Sequence, residues 1–160
     1  MRSIIFYVLA SALIASCNQK TRNEGLTWLN LSDNDKFKVI EKQFRGFDKT
    51  MMEVGYRYNE LYWAGEDENW ELAKYHLEKI EHSIKLGTER RPKRKENAQV
   101  IFPILSELNS HASSKNKKLF RENFKVLSKT CNACHHAENV SYFNVEMPSI
   151  RLSPLKGAPN

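Results

Sequence analysis

The sequence predicts an all-α protein that folds as an up-down-up-down four-helix bundle. The main observation is that apolar residues recur at helical spacing in four successive stretches, which mostly short turn signals separate. Composition agrees, because glycine and proline are sparse before residue 148 and charged residues make up 28% of the chain. Such a composition favours helices over sheets. No stretch carries a clear strand pattern.

The first predicted helix is the longest and runs from about residue 33 to residue 64. Ser32 or Asp33 provides an N-cap, and Gly65 provides a C-terminal stop. Between them the apolar residues keep the a/d spacing of heptads, which predicts one face packed along the whole length. One heptad position holds Phe37, Phe44, Met51 and Tyr58, and the other holds Ile40, Phe47, Val54 and Leu61.

Three further helices follow the same spacing. The second is predicted from Asp67 to a stop at Gly87, and the third over residues 96–111. The fourth begins after Ser113 or Ser114 and ends near residue 136, where the regular pattern stops. Its apolar stripe contains Phe120, Phe124, Leu127, Cys131 and Cys134, so two cysteines face the bundle with the phenylalanines.

The most informative stretch is Cys131-Asn132-Ala133-Cys134-His135, which reads C-x-x-C-H. This motif is typical of covalent c-type haem attachment. Two thiols one helical turn apart can both reach the vinyl groups on one edge of a porphyrin, and the imidazole of the next residue then meets the iron. The motif predicts one haem c near the C-terminal end of the fourth helix. Cys131 and Cys134 would be its thioether anchors, and His135 would be an axial iron ligand.

Two other interpretations of the motif agree less well with the sequence. A redox dithiol usually sits near a βαβ pattern, and the sequence carries none. A structural zinc site would use His135 and His136 beside the cysteines, but such sites usually draw ligands from two separated pairs, and there is no second cysteine pair. The sequence therefore favours haem.

The N-terminus carries an export signal. Arg2 and the apolar run 4–10 form the charged and hydrophobic parts of a signal peptide, and the run is shorter than the about 20 apolar residues that span a membrane. It ends in small residues before Cys17, which resembles a bacterial lipobox; an ordinary signal peptide that happens to contain a cysteine is the alternative. By resemblance to enterobacterial sorting rules, Asn18 implies the outer membrane.

The cysteine count agrees with export and haem attachment. Of the three cysteines, Cys17 takes lipid and the other two take haem, so no disulfide is needed. The rest of the chain has ordinary single-domain size. The predicted organisation is a signal peptide at 1–16, a lipidated tether at 17–32, the bundle at 33–136 and an irregular tail at 137–160.

A four-helix bundle with C-x-x-C-H near the end of its last helix resembles the cytochrome c prime family, the class II cytochromes c. The resemblance covers residues 33–136, and its specific part is the motif and its placement. The stretch 57–65 followed by Asn69-Trp70 also looks like a group of short bacterial cytochromes c related to that bundle. The resemblance implies a monohaem cytochrome and allows a homodimer.

The resemblance also bears on the sixth haem ligand. A methionine from the first helix completes the haem in the related cytochrome b-type bundle, which makes Met51 the candidate, with Met52 and Met147 as alternatives. With residue 64 taken as level with residue 115, a rise of about 1.5 Å per residue puts His135 near Arg45 and Met51 slightly further along. In cytochrome c prime the sixth site is usually open and guarded by an apolar side chain, and Met51 could play that part or simply fill the core. The residues expected to wall the haem pocket are Phe44, Phe47, Tyr58, Phe124 and Leu127.

The expected function is electron transfer by a lipid-anchored, periplasm-facing protein, because His/Met ligation raises the reduction potential. The alternative is a protein that binds nitric oxide or carbon monoxide at an open sixth site. A peroxidase-like enzyme ranks last, since His76 and His82 are expected at the surface and no distal histidine is convincing. The net charge of +6 suits an acidic redox partner or an anionic membrane surface. Nucleic acid is a poor partner for an exported lipoprotein, and the densest positive charge lies at residues 90–95.

Overall fold

The computed structural model describes residues 30–154, and all regular structure in that range is helical. The predicted all-α class is confirmed. The signal peptide, Cys17, most of the tether and the last six residues of the tail lie outside the described residues. The helices are α1 (Asp33–Gln43), α2 (Phe47–Glu66), α3 (Trp70–Arg90), α4 (Lys95–Ala98), α5 (Phe102–Ser113) and α6 (Lys117–Ala137), with single 3₁₀ turns at Pro92–Arg94 and Gln99–Ile101.

The long first helix predicted from the heptads is wrong, because two helices occupy that stretch. The chain turns at Arg45, whose φ of 60° lies in the left-handed region, and α2 begins after Gly46. No residue of α1 is buried, and Phe37 is 70% exposed. Within the described range, residues 30–43 belong to one compact unit and residues 44–154 to another. Heptad spacing identifies an apolar face, but it cannot tell whether a partner covers that face.

Gly65 and Gly87 lie inside α2 and α3 instead of stopping them. Both are buried. A Cβ atom on Gly65 would overlap the ring of Phe120, and one on Gly87 would lie 2.5 Å from Thr50 Oγ1 and 2.9 Å from Phe47 Cε2. These glycines therefore let neighbouring helices approach closely, a need of tertiary packing that the local sequence does not reveal.

The third predicted helix is segmented, since α4, a 3₁₀ turn and α5 share its range. Pro103 lies in the first turn of α5, where its missing N–H costs no intrahelical hydrogen bond. The fourth predicted helix is confirmed as α6. Its N-cap is Asn116, whose side chain accepts a hydrogen bond from the Leu119 amide at 3.1 Å. As predicted, Phe120, Phe124 and Leu127 are buried in the core.

The contacts between α2 and α6 show that these two helices are antiparallel. Gly65 meets Phe120, the Tyr58 and Phe124 rings lie 4.7 Å apart, and the Tyr58 hydroxyl lies 2.7 Å from Ser128 Oγ. Each turn further along α6 thus meets an earlier turn of α2.

The C-terminal tail is irregular, as predicted, but it packs on the helices. Residues 143–152, here called the strap, return along α6 and α2 after the end of α6 at Ala137. Val145 and Met147 pack against the hydrophobic core from this segment. Among the described helices, none has the length and apolar character to span a bilayer.

Candidate functional site

The C-x-x-C-H motif occupies the last two turns of α6. α6 contains neither glycine nor proline, so nothing in its sequence interrupts the helix before Ala137. Cys131, Cys134 and His135 are half-buried, and Cys131 packs against the core. The structure therefore presents the motif at a helix end, partly covered by protein and partly open to solvent.

Both thiols of the motif are free cysteines. Burial raises the pKa of Cys131 to about 12, and the neighbouring Cys134 adds to that increase. Burial also raises the pKa of Cys134, although the Arg94 guanidinium opposes it. Both groups are thus protonated at neutral pH in the free protein, and neither is an activated thiolate.

The ring of His135 is held by a backbone carbonyl. Its Nδ1 lies 2.6 Å from the Phe143 carbonyl oxygen. Because a carbonyl can only accept, Nδ1 must carry the hydrogen, and in the neutral imidazole the lone pair then lies on Nε2. Metal-binding histidines almost always donate their second nitrogen to a carbonyl or carboxylate in this way. The arrangement leaves Nε2 as the ring nitrogen available to a metal ion.

The strap reaches His135 because it is tied to both α6 and α2. The side-chain amide of Asn132 donates to the Val145 carbonyl at 2.8 Å and accepts from the Val145 N–H at 2.7 Å. The Tyr58 hydroxyl donates to the Glu146 carbonyl at 2.9 Å. Met147 Sδ lies 3.6 Å from Ser128 Oγ, one turn before Cys131.

The far end of the strap is anchored on α2 and its C-cap. The Asn59 amide donates to the Ile150 carbonyl at 3.2 Å and accepts from the Leu152 N–H at 3.4 Å. The Arg151 guanidinium pairs with Asp67 at 2.7 Å and lies 4.8 Å from the Trp63 ring centroid. The strap therefore has attachments that do not involve the motif.

Of the side chains predicted to surround a haem, Phe124 and Leu127 are fully buried on α6 before the motif. Phe47 and Met51 are half-buried and pack against the core. Phe44 is 57% exposed, and its place in the wall of a haem pocket stays a prediction. Met52 is also exposed, at 60%.

The level of Met51 on α2 follows from the helix register. Gly65 is level with Phe120, whereas the prediction took residue 64 as level with residue 115. The difference arises because α2 ends at Glu66 and α6 begins at Lys117, each two residues beyond the residues taken as level. When the α2–α6 contacts are continued along both helices, His135 comes level with residues 47–51, a range that includes Met51 and not Arg45.

The sequence reasoning missed Asn132 and the strap. Asn132 occupies a variable position of the motif, so its residue type carried no signal. One available signal was the alternation of Phe143, Val145 and Met147 before a proline, which is typical of an extended segment with one apolar side. The role of Tyr58 as a pocket wall stays a prediction, and its hydroxyl, which the sequence pattern did not connect to the tail, donates to the strap.

Within residues 30–154, no group of three or more histidine, cysteine, aspartate or glutamate side chains is arranged to hold a metal ion. A haem iron needs only one or two protein ligands, so a search for groups of three does not test the haem interpretation.

The chain matches no known family. Comparison with protein-family models, with curated proteins and with solved structures gave no significant match.

Positive charge lies at the same end of the bundle as the motif. Arg94 forms an ion pair with Glu138, the C-cap residue of α6. The Arg91 guanidinium donates to the Arg45 carbonyl at 2.8 Å. Lys93, between Arg91 and Arg94, is exposed, and so is Lys95, which follows Arg94. The basic segment 90–95 is therefore held beside the end of α6 and presents two lysines to solvent.

Proposed function

We propose that this protein is a monohaem c-type cytochrome that transfers single electrons. The observation that carries the proposal is the hydrogen bond from His135 Nδ1 to the Phe143 carbonyl oxygen at 2.6 Å, which leaves Nε2 available to iron. The two thiols of the C-x-x-C pair lie one turn before this histidine on the same helix. In this proposal the helices form an up-down-up-down bundle with the haem near the end of α6.

The residues present fit a haem of this kind. Cys131 and Cys134 would bond to its vinyl groups, and His135 would bind its iron. Phe124, Leu127 and the half-buried Met51 would exclude water from one side of the ring. The haem itself would supply a one-electron iron couple. The chain would attach it, orient it and set its potential.

The test is a comparison of two neighbouring histidines. Wild-type protein matured with a haem-attachment system should carry one covalent haem, seen as haem-dependent peroxidase staining on a denaturing gel and as the mass of one haem. His135→Ala should lose the low-spin absorption spectrum. His136→Ala should keep it, because His136 is the exposed neighbour outside the motif. Wild-type protein without covalent haem would refute the proposal.

Met51 is the proposed sixth ligand. Support comes from the α2–α6 register, which brings His135 level with residues 47–51 of α2, and from the half-buried position of Met51 against the core. The reduced protein should then be low-spin and should resist carbon monoxide. Met51→Ala should open a site for the gas, whereas Met52→Ala should not, because Met52 is 60% exposed.

The alternative function is gas binding at an open iron site. The packing of Met51 with Phe47 against the core favours it, because an apolar guard would pack in the same way. A high-spin wild-type spectrum that shifts sharply on adding carbon monoxide would select this alternative. In that case Met51→Ala should change the affinity for the gas without changing the spin state.

We also propose that lipid on Cys17 anchors the protein to the outer membrane, facing the periplasm. The lipobox-like sequence before Cys17 supports this. Wild-type protein should incorporate radiolabelled palmitate and sediment with the outer membrane, and Cys17→Ala should do neither. The redox partner would be acidic where it meets the basic segment 90–95.

A further inference from the structure

We infer that Asn132, inside the motif, is a positioning residue that holds the strap so that the Phe143 carbonyl orients His135. This inference rests on the proposed haem function and deepens it. Asn132 and His135 are three residues apart on α6 and so are neighbours on its surface. Val145 and Phe143 are two residues apart on the strap. The contact from Asn132 to Val145 therefore fixes Phe143 from its C-terminal side, while the hydrogen bonds from the Phe143 N–H to the Val140 carbonyl and from the Val140 N–H to the His135 carbonyl hold it from the other side.

The contact suits this role because it uses both polar groups of one backbone residue. The Asn132 amide donates to the Val145 carbonyl and accepts from the Val145 N–H, at 2.8 and 2.7 Å. A side chain that pairs with both groups fixes the direction and the register of an extended segment, as a neighbouring strand would. A shift of the strap by one residue would break both bonds and remove the carbonyl from His135.

The expected consequence at the iron follows from ligand basicity. An imidazole that donates Nδ1–H to a carbonyl is a more basic ligand at Nε2, and a more basic ligand favours the ferric over the ferrous state. Asn132 would thus lower the reduction potential through Val145 and Phe143. Loosening the strap at Val145 should raise the potential.

The remaining anchors of the strap make the variant testable. Tyr58, Asn59 and Asp67 bind the strap independently of Asn132. Asn132→Ala should therefore loosen the strap at Val145 while the bundle and the far end of the strap stay in place. Asn144→Ala is the matched control, since Asn144 is an exposed strap residue whose amide donates to the side chain of Glu146 at 3.2 Å.

The experiment measures hydrogen exchange at the Val145 amide and the midpoint potential of the haem in the full-length protein. In Asn132→Ala the amide should exchange at least tenfold faster. The potential should rise by up to about 59 mV, which is a tenfold change in the one-electron equilibrium. Asn144→Ala should match wild type in both measurements.

A second variant covers the case in which a change inside the motif prevents haem attachment. Val145→Pro removes the backbone N–H that donates to the Asn132 side-chain oxygen, and it leaves the motif intact. It should raise the potential in the same direction. A potential equal to that of wild type, in either variant loaded with haem, would overturn the positioning role even if the strap is loosened.

Unchanged exchange at Val145 in Asn132→Ala would also overturn the inference, because the strap would then be held by other contacts. These outcomes leave the haem function standing. A wild-type protein that never acquires covalent haem would instead refute the proposed function, and the inference would fall with it. The two failures are thus told apart by the wild-type spectrum.

Discussion

Two glycines of α2 have opposite surroundings although they belong to the same helix. A Cβ on Gly65 would overlap the Phe120 ring, while one on Gly55 would meet nothing within 4 Å. Gly65→Ala should therefore destabilise the protein by about 1–3 kcal/mol, the usual cost of overpacking. Gly55→Ala should stabilise it by roughly 0.5–1 kcal/mol, because alanine loses less backbone entropy in a helix. Urea denaturation of both variants checks the pair, and equal effects would contradict the packing described here.

His76 was expected at the surface, but it is 3% exposed, and neither ring nitrogen has a hydrogen-bond partner. Burial, with a smaller effect of the Arg57 guanidinium, lowers the pKa of His76 from 6.5 to about 4. The buried carboxyl of Glu60 also has one oxygen, Oε1, without a hydrogen bond. Spacing along α3 could not identify His76 as buried, because this residue lies beside the apolar stripe.

The depressed pKa of His76 has a direct consequence for acid stability. Below pH 6.5 His76 becomes protonated in the unfolded chain, whereas in the folded chain it stays neutral until about pH 4. The free energy of unfolding should therefore fall across this range by on the order of 3 kcal/mol from this residue alone. His76→Leu should remove that part of the pH dependence, and His82→Leu should not, because His82 is exposed. Identical pH profiles for His76→Leu and wild type, measured by urea denaturation, would contradict the prediction.

At the scale of elements, Tyr58 connects α2, α6 and the strap. Its hydroxyl lies 2.7 Å from Ser128 Oγ and donates to the Glu146 carbonyl at 2.9 Å. Burial raises the pKa of Tyr58 to about 12, so the group remains a donor at all physiological pH values. It thus supplies the strap with a contact to α2 in the core of the molecule.

Tyr58→Phe should cost about 1–2 kcal/mol, because it leaves the Glu146 carbonyl and Ser128 without that partner. It should also speed tryptic cleavage after Arg151, since opening of the strap exposes this half-buried residue. Tyr142→Phe is the control, because Tyr142 is 75% exposed. Cleavage of Tyr58→Phe at the wild-type rate would show that the hydroxyl does not hold the strap.

The elements that could be predicted from the sequence are those whose pattern and packing agree. α6 was found because its apolar stripe, polar N-cap region and motif all point to one helix. The sequence predicts α1 and α2 as one helix because the heptads continue through Arg45, a non-glycine residue whose positive φ breaks the helix just before Gly46. The strap had no helical period, so its position depends on bonds such as that between Asn132 and Val145 that no local pattern encodes.

On the scale of the whole molecule, the chain has a net charge of +6, and its densest positive charge lies in one place. The basic segment 90–95 lies at the motif end of α6 through Arg94 and Glu138. The other end of α6 is about 30 Å away, given the rise per residue and its 21 residues. An acidic partner would thus be guided towards the end that carries the proposed haem.

Replacing Lys93 and Lys95 together by glutamate should slow electron transfer to an acidic acceptor protein by about tenfold at low salt, and added salt should remove most of the difference. Lys118→Glu, at the opposite end of α6 and also exposed, should have a smaller effect. Stopped-flow reduction of the acceptor measures both. Equal slowing by changes at the two ends would indicate a general charge effect without a docking site.

The part of the candidate site that could be predicted from the sequence is the part formed by consecutive residues. C-x-x-C-H names Cys131, Cys134 and His135 directly, and the structure adds the carbonyl that orients His135. The level of Met51 was misjudged because it depends on where α2 and α6 begin and end, and an error of one turn in either helix moves every cross-helix neighbour. Interhelical register is a property of the assembled bundle, which a single sequence specifies only indirectly.

The contacts of the strap differ greatly in the length of chain that they enclose. His135 and Phe143 are eight residues apart, and Asn132 and Val145 are 13 apart, whereas Tyr58 is separated from Glu146 by 88 residues. Each doubling of an enclosed loop adds roughly 0.6 kcal/mol of closure entropy. The short loops at the motif should therefore close before the long ones, so His135 would acquire its carbonyl partner while α2 is still unattached. His135 would then be oriented early in folding by a local contact, and this orientation would already exist when the bundle assembles.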